Sequence, residues 1–355
     1  MSHKTKVGLI FGGRSAEHEV SLASAAAIYA NLDPNKYEVT SIYIRKEGLW
    51  EIVESPLLTD RHPVHGRTHS FLPWGNPGPN QASAPEIYFP VLHGPYGEDG
   101  TIQGLLEMAD VPYVGAGVLA SAIGMDKAVA KALFERKGLP VVQYRILFEP
   151  DWKQERRALV EGIRKELPFP VFVKPSNLGS SVGISKVKSP EDLETAIDLA
   201  FIYDRKVLVE EGIQGREFEC SVLGNDRPEA SLPGEIIPGR EFYDYRDKYL
   251  DGKTGFIVPA NLPAVLVSEI QRLAISAFVA IEGAGMARVD FFYAEGSGKL
   301  YLNEINTIPG FTEISMYPRL WEASGLSFPA LVDRLIELGF ERHQQKKRCL
   351  SWDAS

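Results

Sequence analysis

The chain has 355 residues, 44% of them hydrophobic, and a formal net charge of −9. That length points to two or three domains rather than one small core, and the acidic balance argues against general binding to a nucleic-acid backbone. The two cysteines, Cys220 and Cys349, lack metal-ligand spacing, the apolar stretch in MSHKTKVGLIF is too short for a signal peptide, and no run approaches membrane-spanning length. The expectation is a cytoplasmic protein without membrane or nucleic-acid partners.

Lys6–Phe11 reads as a buried strand, followed by the turn Gly12-Gly13-Arg14-Ser15 and a helix with Ser15 as its cap. Tyr37–Ile44 is the next strand, so the chain opens as a βαβ unit of a parallel, doubly wound sheet. A dinucleotide fingerprint is excluded, because GGRSAE is not G-x-G-x-x-G. Glu17 stands at the helix start, where it suits an ammonium ligand or simply the helix dipole. Residues 55–85 read as a long irregular excursion. Ile87–His93 is a strand that runs into a glycine-rich loop with Glu98, then a helix over Thr101–Met108. His93, at the strand's carboxyl edge, reads equally as a structural group or a ligand. Val111–Val114 with Gly115-Ala116-Gly117 closes a first domain near residue 125.

A second domain is expected over residues 126–215. Asp126 caps a helix that ends at Gly138, and Lys127 in its first turn opposes the dipole, a hint of an anionic ligand. Phe169–Val187 reads as two strands flanking a Gly/Ser/Asn loop, Pro175–Gly183, with Lys174 before it. Small residues let backbone N–H groups approach an anion. Because the lysine precedes the glycines, this is not a Walker A loop; a plain hairpin is the alternative. Ser189 and Pro190 open a helix to about Tyr203, and Lys206–Glu210 is a strand leading to the last domain. Glu210 and Glu217 read as adenine and ribose contacts or as solvated loop residues.

The third domain, 216–355, starts with an alternating strand at Glu217–Leu223. Pro238–Pro259, with five aromatics among charges, reads as an ordered lid carrying Lys248 and Tyr249. A helix over Ser268–Ile281 precedes the most informative stretch, Met286–Met316. It reads as a hairpin closed by Glu-Gly-Ser-Gly. Arg288 and Asp290 share one face, as do Glu304 and Asn306, while Val289, Phe291, Tyr301 and Ile305 point to the core. Buried carboxylates need a cation, either Arg288 or a hard divalent ion held by Asp290, Glu304 and Asn306; a solvated surface hairpin is the alternative. The glycine turn at Pro309–Phe311 can aim N–H groups at an oxyanion. A closing helix over Pro329–Arg342 puts Leu331, Leu335 and Leu338 on one face, with Ser327 as its cap.

The segments FGGRSAEHEVSLAS, HGPYGEDGTIQGLLE, MDK, VKPSNLGSSVGISKV, EFYDYRDKYL, ARVDFF and NEINTIPGFTEISMYP together resemble the D-alanine–D-alanine ligases of the ATP-grasp superfamily, over nearly the whole chain. The resemblance implies an α/β substrate domain followed by two α+β domains that hold ATP between them. It implies that Lys127, Lys174 and Lys248 meet ATP phosphates, with Ser180 and Ser181 in the loop over them. Glu210, Glu217 and Phe242 take adenine and ribose. Asp290, Glu304 and Asn306 bind two Mg²⁺ ions, with Mn²⁺ as a substitute. Glu17 takes the first D-alanine's ammonium and His93 lies near its carboxylate. Glu17, Ser180 and Tyr249 form one hydrogen-bonded set. Arg288 and the Gly310 N–H hold the oxyanion, and Ser315 and Met316 receive the second D-alanine. The implied reaction forms an acyl phosphate, then D-alanyl-D-alanine for peptidoglycan. A homodimer is also implied. Glu211-Gly212 departs from the basic residue and Trp of some members, which alters the adenine pocket's side wall. Tyr249 looks like the dipeptide-forming kind rather than the D-lactate kind.

Overall fold

The computed structural model describes residues 3–56, 58–59, 62–63, 84–179, 182–239 and 254–346. Its first sheet contains β1 (Thr5–Gly12), β2 (Tyr37–Ile44), β3 (Trp50–Val53) and, after the short pair β4 (Leu58–Thr59) and β5 (His62–Pro63), β6 (Ile87–Val91). The order is β3-β2-β1-β6, with β1 parallel to both neighbours and β3 an antiparallel edge. Sequence reading found the parallel core and missed that edge. β1 is apolar on both faces, as a central parallel strand must be. Val7, Leu9 and Phe11 meet α1 (His18–Asn31), while Ile10 joins Ile102 and Leu106 of α2 (Thr101–Met108).

Two helices then bridge the sheets, α3 (Val118–Met125) and α4 (Lys127–Arg136). The second sheet holds β7 (Tyr144–Phe148), β8 (Val171–Pro175), β9 (Ser185–Val187) and β10 (Lys206–Glu211) in the order β7-β10-β8-β9. Helices α5 (Glu149–Glu166) and α6 (Leu193–Phe201) cover it through Trp152, Ile163, Leu193 and Ile197. The hairpin over residues 169–187 is as expected; β7, α3 and α5 were missed, although α5 carries helix signals, Pro150 with Glu149 and Asp151 at its start and Arg164 and Lys165 in its last turn. Ser189 opens a 3₁₀ turn, Pro190–Asp192, without capping it through its side chain, so α6 begins only at Leu193.

The third sheet joins β11 (Arg216–Gly224), β12 (Glu229–Ala230), β13 (Gly234–Ile237), β14 (Gly255–Ile257), β15 (Gly285–Ala294) and β16 (Lys299–Asn306). Its main path is β14-β13-β11-β15-β16. Part of the expected lid is therefore strand β14; Phe242, Lys248 and Tyr249 lie outside the described residues. Helix α7 (Ala264–Ala280) starts four residues before the expected Ser268 and packs on this sheet together with α3 and α4. The described residues end in α8 (Met316–Ala323) and α9 (Phe328–Lys346). Leu331, Leu335 and Leu338 are buried as expected, but against the first sheet's core. The last helix thus ties the two ends of the chain together, and Lys36 and Tyr37 reinforce the tie by donating to Asp333.

Candidate active site

The hairpin β15–β16 forms with the expected turn, and Val289, Phe291 and Ile305 are buried. One expectation fails. Register shifts between Asp290 and Phe291, so Phe291 pairs with Leu302 and Asn303 is passed over. The bulge changes the phase of β16: Leu302 is fully buried and Tyr301 is half-exposed. It also sets Asp290 directly opposite Glu304, with Arg288 opposite Asn306. Bulges re-aim side chains beside functional sites.

The polar groups of this hairpin meet as the spacing implies. Asp290 accepts Nε–H and Nη2–H of Arg288, each at 2.7 Å, and Asn306 Nδ2–H at 3.1 Å. Glu219, which sequence reading passed over, lies opposite Asp290 on β11 and places Oε2 3.1 Å from Arg288 Nε. Its signal was the alternation in EFECS, which puts it on one face with Glu217 and Ser221. Burial opposes the charge of Arg288, but Asp290 and Glu219 outweigh it and hold the guanidinium's pKa well above its ordinary value. The hairpin is therefore not a solvated surface.

Among the described residues no three His, Cys, Asp or Glu side chains form a metal cage. The donor set Asp290, Glu304 and Asn306 still fits a hard divalent cation of the Mg²⁺ type, which takes one or two carboxylates and completes its shell with water and substrate phosphates. Asn306 gives its Nδ2–H to Asp290, which leaves its amide oxygen as the atom it would offer a cation.

Lys127 links this hairpin to the loop of the second sheet. Its ammonium donates to Leu178 O at 2.7 Å and stands 3.6 Å from Glu304 Oε2. The residue is set by a cap: Asp126 Oδ1 accepts from Val129 N–H at 3.1 Å and from Ser176 Oγ–H at 2.7 Å, and Lys206 pairs with its other oxygen. Deeper in the cleft, Lys174 on β8 pairs with Glu210 on β10, and Lys131 of α4 lies 3.1 Å from the other Glu210 oxygen. Lys131 and Glu210 are each about 2% exposed. Burial favours a neutral Glu210, yet the two lysines hold its pKa below the ordinary carboxylate range. Glu210 is thus ion-paired within the protein and is not a solvated loop residue. Glu217 is half-buried on β11, across from Ile236 and Phe292. Gly212 approaches Pro170 so closely that a Cβ would lie 2.7 Å from its carbonyl, which explains a glycine at the departure Glu211-Gly212.

The first sheet contributes a third wall. Ser15 does not cap α1; its Oγ–H donates to His93 O at 2.6 Å, and the N-cap position is Glu17. A Cβ on Gly94 would fall 2.6 Å from Glu17 Oε2, and one on Gly179 2.7 Å from the same atom. Both glycines, one from each domain, close on this carboxylate. His93 is buried, with Nδ1 3.1 Å from Ile308 O and Nε2 3.1 Å from Ser24 Oγ, which in turn accepts from Phe311 N–H. Since a carbonyl only accepts, Nδ1 carries the proton and Nε2 accepts from Ser24. Burial keeps the imidazole's pKa below its ordinary value. Both ring nitrogens are therefore spent on fixing the turn at residues 308–311. Beside that turn, a Cβ on Gly310 would lie 2.7 Å from Ser315 Oγ, which accepts from Thr312 N–H at 3.0 Å. Ser315 is the N-cap residue of α8 and Met316 its first residue, so free helix N–H groups are available to an anion there. Ser180, Ser181, Phe242, Lys248 and Tyr249 lie outside the described residues.

Two antiparallel-rich sheets around a lysine-lined cleft, with a parallel sheet closing one side, are the ATP-grasp architecture. Residues 6–116 match the family model described as "D-ala D-ala ligase N-terminus", and residues 133–337 match "D-ala D-ala ligase C-terminus". The chain belongs to the D-alanine–D-alanine ligase family. It is 51% identical over 344 residues to a D-alanine–D-alanine ligase of Solibacter usitatus, covering 97% of this chain and 98% of that one. A D-alanine–D-alanine ligase of Geobacillus thermodenitrificans is 49% identical over 358 residues, covering 97% and 98%. Among solved structures, the D-alanine–D-alanine ligase of Coxiella burnetii superposes with a TM-score of 0.83 at 38% identity, covering 97% of this chain and 96% of that one. The VanG D-Ala:D-Ser ligase of Enterococcus faecalis gives 0.82 at 36%, covering 95% and 100%.

Proposed function

We propose that this chain joins two D-alanine molecules at the expense of ATP, as a step in supplying peptidoglycan precursors. The observation that carries the reading is the convergence of three walls on one cleft: Glu17 under Gly179, Lys127 between the loop and Glu304, and Arg288 on Asp290. In this reading Glu17 holds the ammonium of the first D-alanine. Its carboxylate oxygen attacks the γ-phosphorus of ATP, ADP departs, and an acyl phosphate forms. The amine of the second D-alanine then attacks the acyl carbon, its proton is lost, and inorganic phosphate leaves.

The chain's own groups mainly position reactants and balance charge. Lys127 and Lys174 receive phosphate oxygens, and Glu210 and Glu217 border the adenosine. Arg288 and the Gly310 N–H stabilise the oxyanion of the tetrahedral intermediate, and Ser315 and Met316 N–H face the second carboxylate. His93 acts through the turn it fixes. Asp290, Glu304 and Asn306 hold the metal, read as two Mg²⁺ ions with Mn²⁺ as a substitute, which supplies charge neutralisation for the phosphates. Ser180, Ser181, Phe242, Lys248 and Tyr249 keep the roles their motifs imply. The domain division 1–125, 126–215 and 216–355 and a homodimer belong to the same reading. Among the described residues no helix is long and apolar enough to cross a membrane.

A coupled assay tests this. With ATP and Mg²⁺, D-alanine should release phosphate and yield the dipeptide, and L-alanine should not. D-serine or D-lactate preferred as second substrate near neutral pH would replace the dipeptide assignment.

A further inference from the structure

The cleft contains a lysine that no step above uses. Lys131 lies one helical turn beyond Lys127 on α4, so the two share a face. It is about 2% exposed, and its 3.1 Å approach to Glu210 Oε2 is not an aligned hydrogen bond; neither atom has a hydrogen-bond partner among the described residues. Lys174 takes the opposite oxygen of Glu210. One buried carboxylate therefore faces two buried ammonium groups from two different elements, leaving one positive charge in excess.

That excess has a consequence for Lys174. If Lys174 turned from Glu210 to a phosphate and no other cation were present, a buried carboxylate would be left uncompensated, at a large cost. With Lys131 in place, the carboxylate stays paired while Lys174 changes partner, and the arriving polyanion completes the charge balance. We infer that Lys131 is a positioning residue for the nucleotide: it retains Glu210 at the cleft wall so that Lys174 is free to bind phosphate. This rests on the proposed nucleotide site. Burial pulls the pKa of Lys131 down while the Glu210 and Glu304 carboxylates support its charge, so its charged state depends on these partners.

The test compares Lys131→Met, Lys131→Arg, Glu210→Gln and the double variant Lys131→Met/Glu210→Gln with the unmodified chain, by kinetics and by calorimetric titration with Mg²⁺–ATP alone. Lys131→Met should weaken ATP binding and raise its KM about tenfold or more, with the D-alanine KM unchanged. Lys131→Arg should restore most of the loss. The double variant should bind ATP better than Lys131→Met, because it removes both buried charges. If Lys131→Met does not fold, the double variant decides: ATP affinity within about threefold of Glu210→Gln alone supports the inference, and a further loss, which would mean that Lys131 acts without Glu210, overturns it. Unchanged ATP affinity in a folded Lys131→Met likewise overturns it. An unmodified chain that binds ATP but does not turn over D-alanine would defeat the functional reading and leave the binding comparison decisive for Lys131.

Discussion

Two carboxyl groups of this protein, the buried Glu210 and the half-buried Glu98, have opposite fates. Glu210 is enclosed between Lys131 and Lys174, and its pKa lies below the ordinary value despite burial. Glu98, in the loop after β6, accepts backbone N–H groups, from Gly94 at 2.7 Å and from Ile308. Burial and then the charge of Glu17 raise its pKa to about 8. Burial sets the sign of the penalty, but the partners decide which protonation state survives. The cleft between the second and third sheets is thus built from paired charges, whereas the corner beside the first sheet is held by neutral groups, Glu98 and His93.

Breaking the charged cleft should have the largest effects. Glu304→Gln should lower D-alanine-dependent phosphate release by about three orders of magnitude, the scale of losing several kcal/mol of charge stabilisation, while circular dichroism stays unchanged. Retained turnover would remove Glu304 from the metal set. Arg288→Met takes the shared cation from Asp290 and Glu219 and should cost about 3–5 kcal/mol in urea unfolding, along with activity. A cost below about 1 kcal/mol would mean that the two carboxylates are already solvated.

The neutral corner should respond more mildly. His93→Ala removes the bonds to Ile308 O and Ser24 and should cost about 1–2 kcal/mol of stability. It should also raise the KM for the second D-alanine, since the turn carrying Gly310 and Ser315 loses its anchor; an unchanged KM would separate His93 from that turn. The smallest effects are in pH dependence. The folded pKa of His93 is depressed below its usual 6.5, so its contribution is present above that value and fades as pH falls below it. The folded pKa of Glu98 is raised from 4.5 to about 8, so its contribution is complete below 4.5 and lost as pH rises through about 8. Glu98→Gln should flatten the fall in Tm between about pH 4.5 and 8 and leave the more acidic side alone. A fall unchanged over that range in the variant would assign it to other groups.

Much of this was legible because local rules agreed with the tertiary fold. The hairpin at residues 286–306, the capped helix at Asp126 and the parallel opening each carry periodicity and turn chemistry that packing reinforces. Tyr301 went astray because a bulge is a register event between strands, and alternation along one strand cannot reveal it. Ser15 was assigned to a cap on residue type, but His93 O, 78 positions away, claims its hydroxyl. Lys131 and Glu219 were overlooked for the same reason: a lysine on a helix and a glutamate in a strand look solvated until partners from other elements enclose them.

The most direct test of the cleft's chemistry is oxygen tracing. With D-alanine labelled by oxygen-18 in both carboxylate oxygens, attack on the γ-phosphate followed by amine displacement should transfer one labelled oxygen to inorganic phosphate, read by mass spectrometry alongside the dipeptide. Dipeptide formed with unlabelled phosphate would contradict the acyl phosphate route.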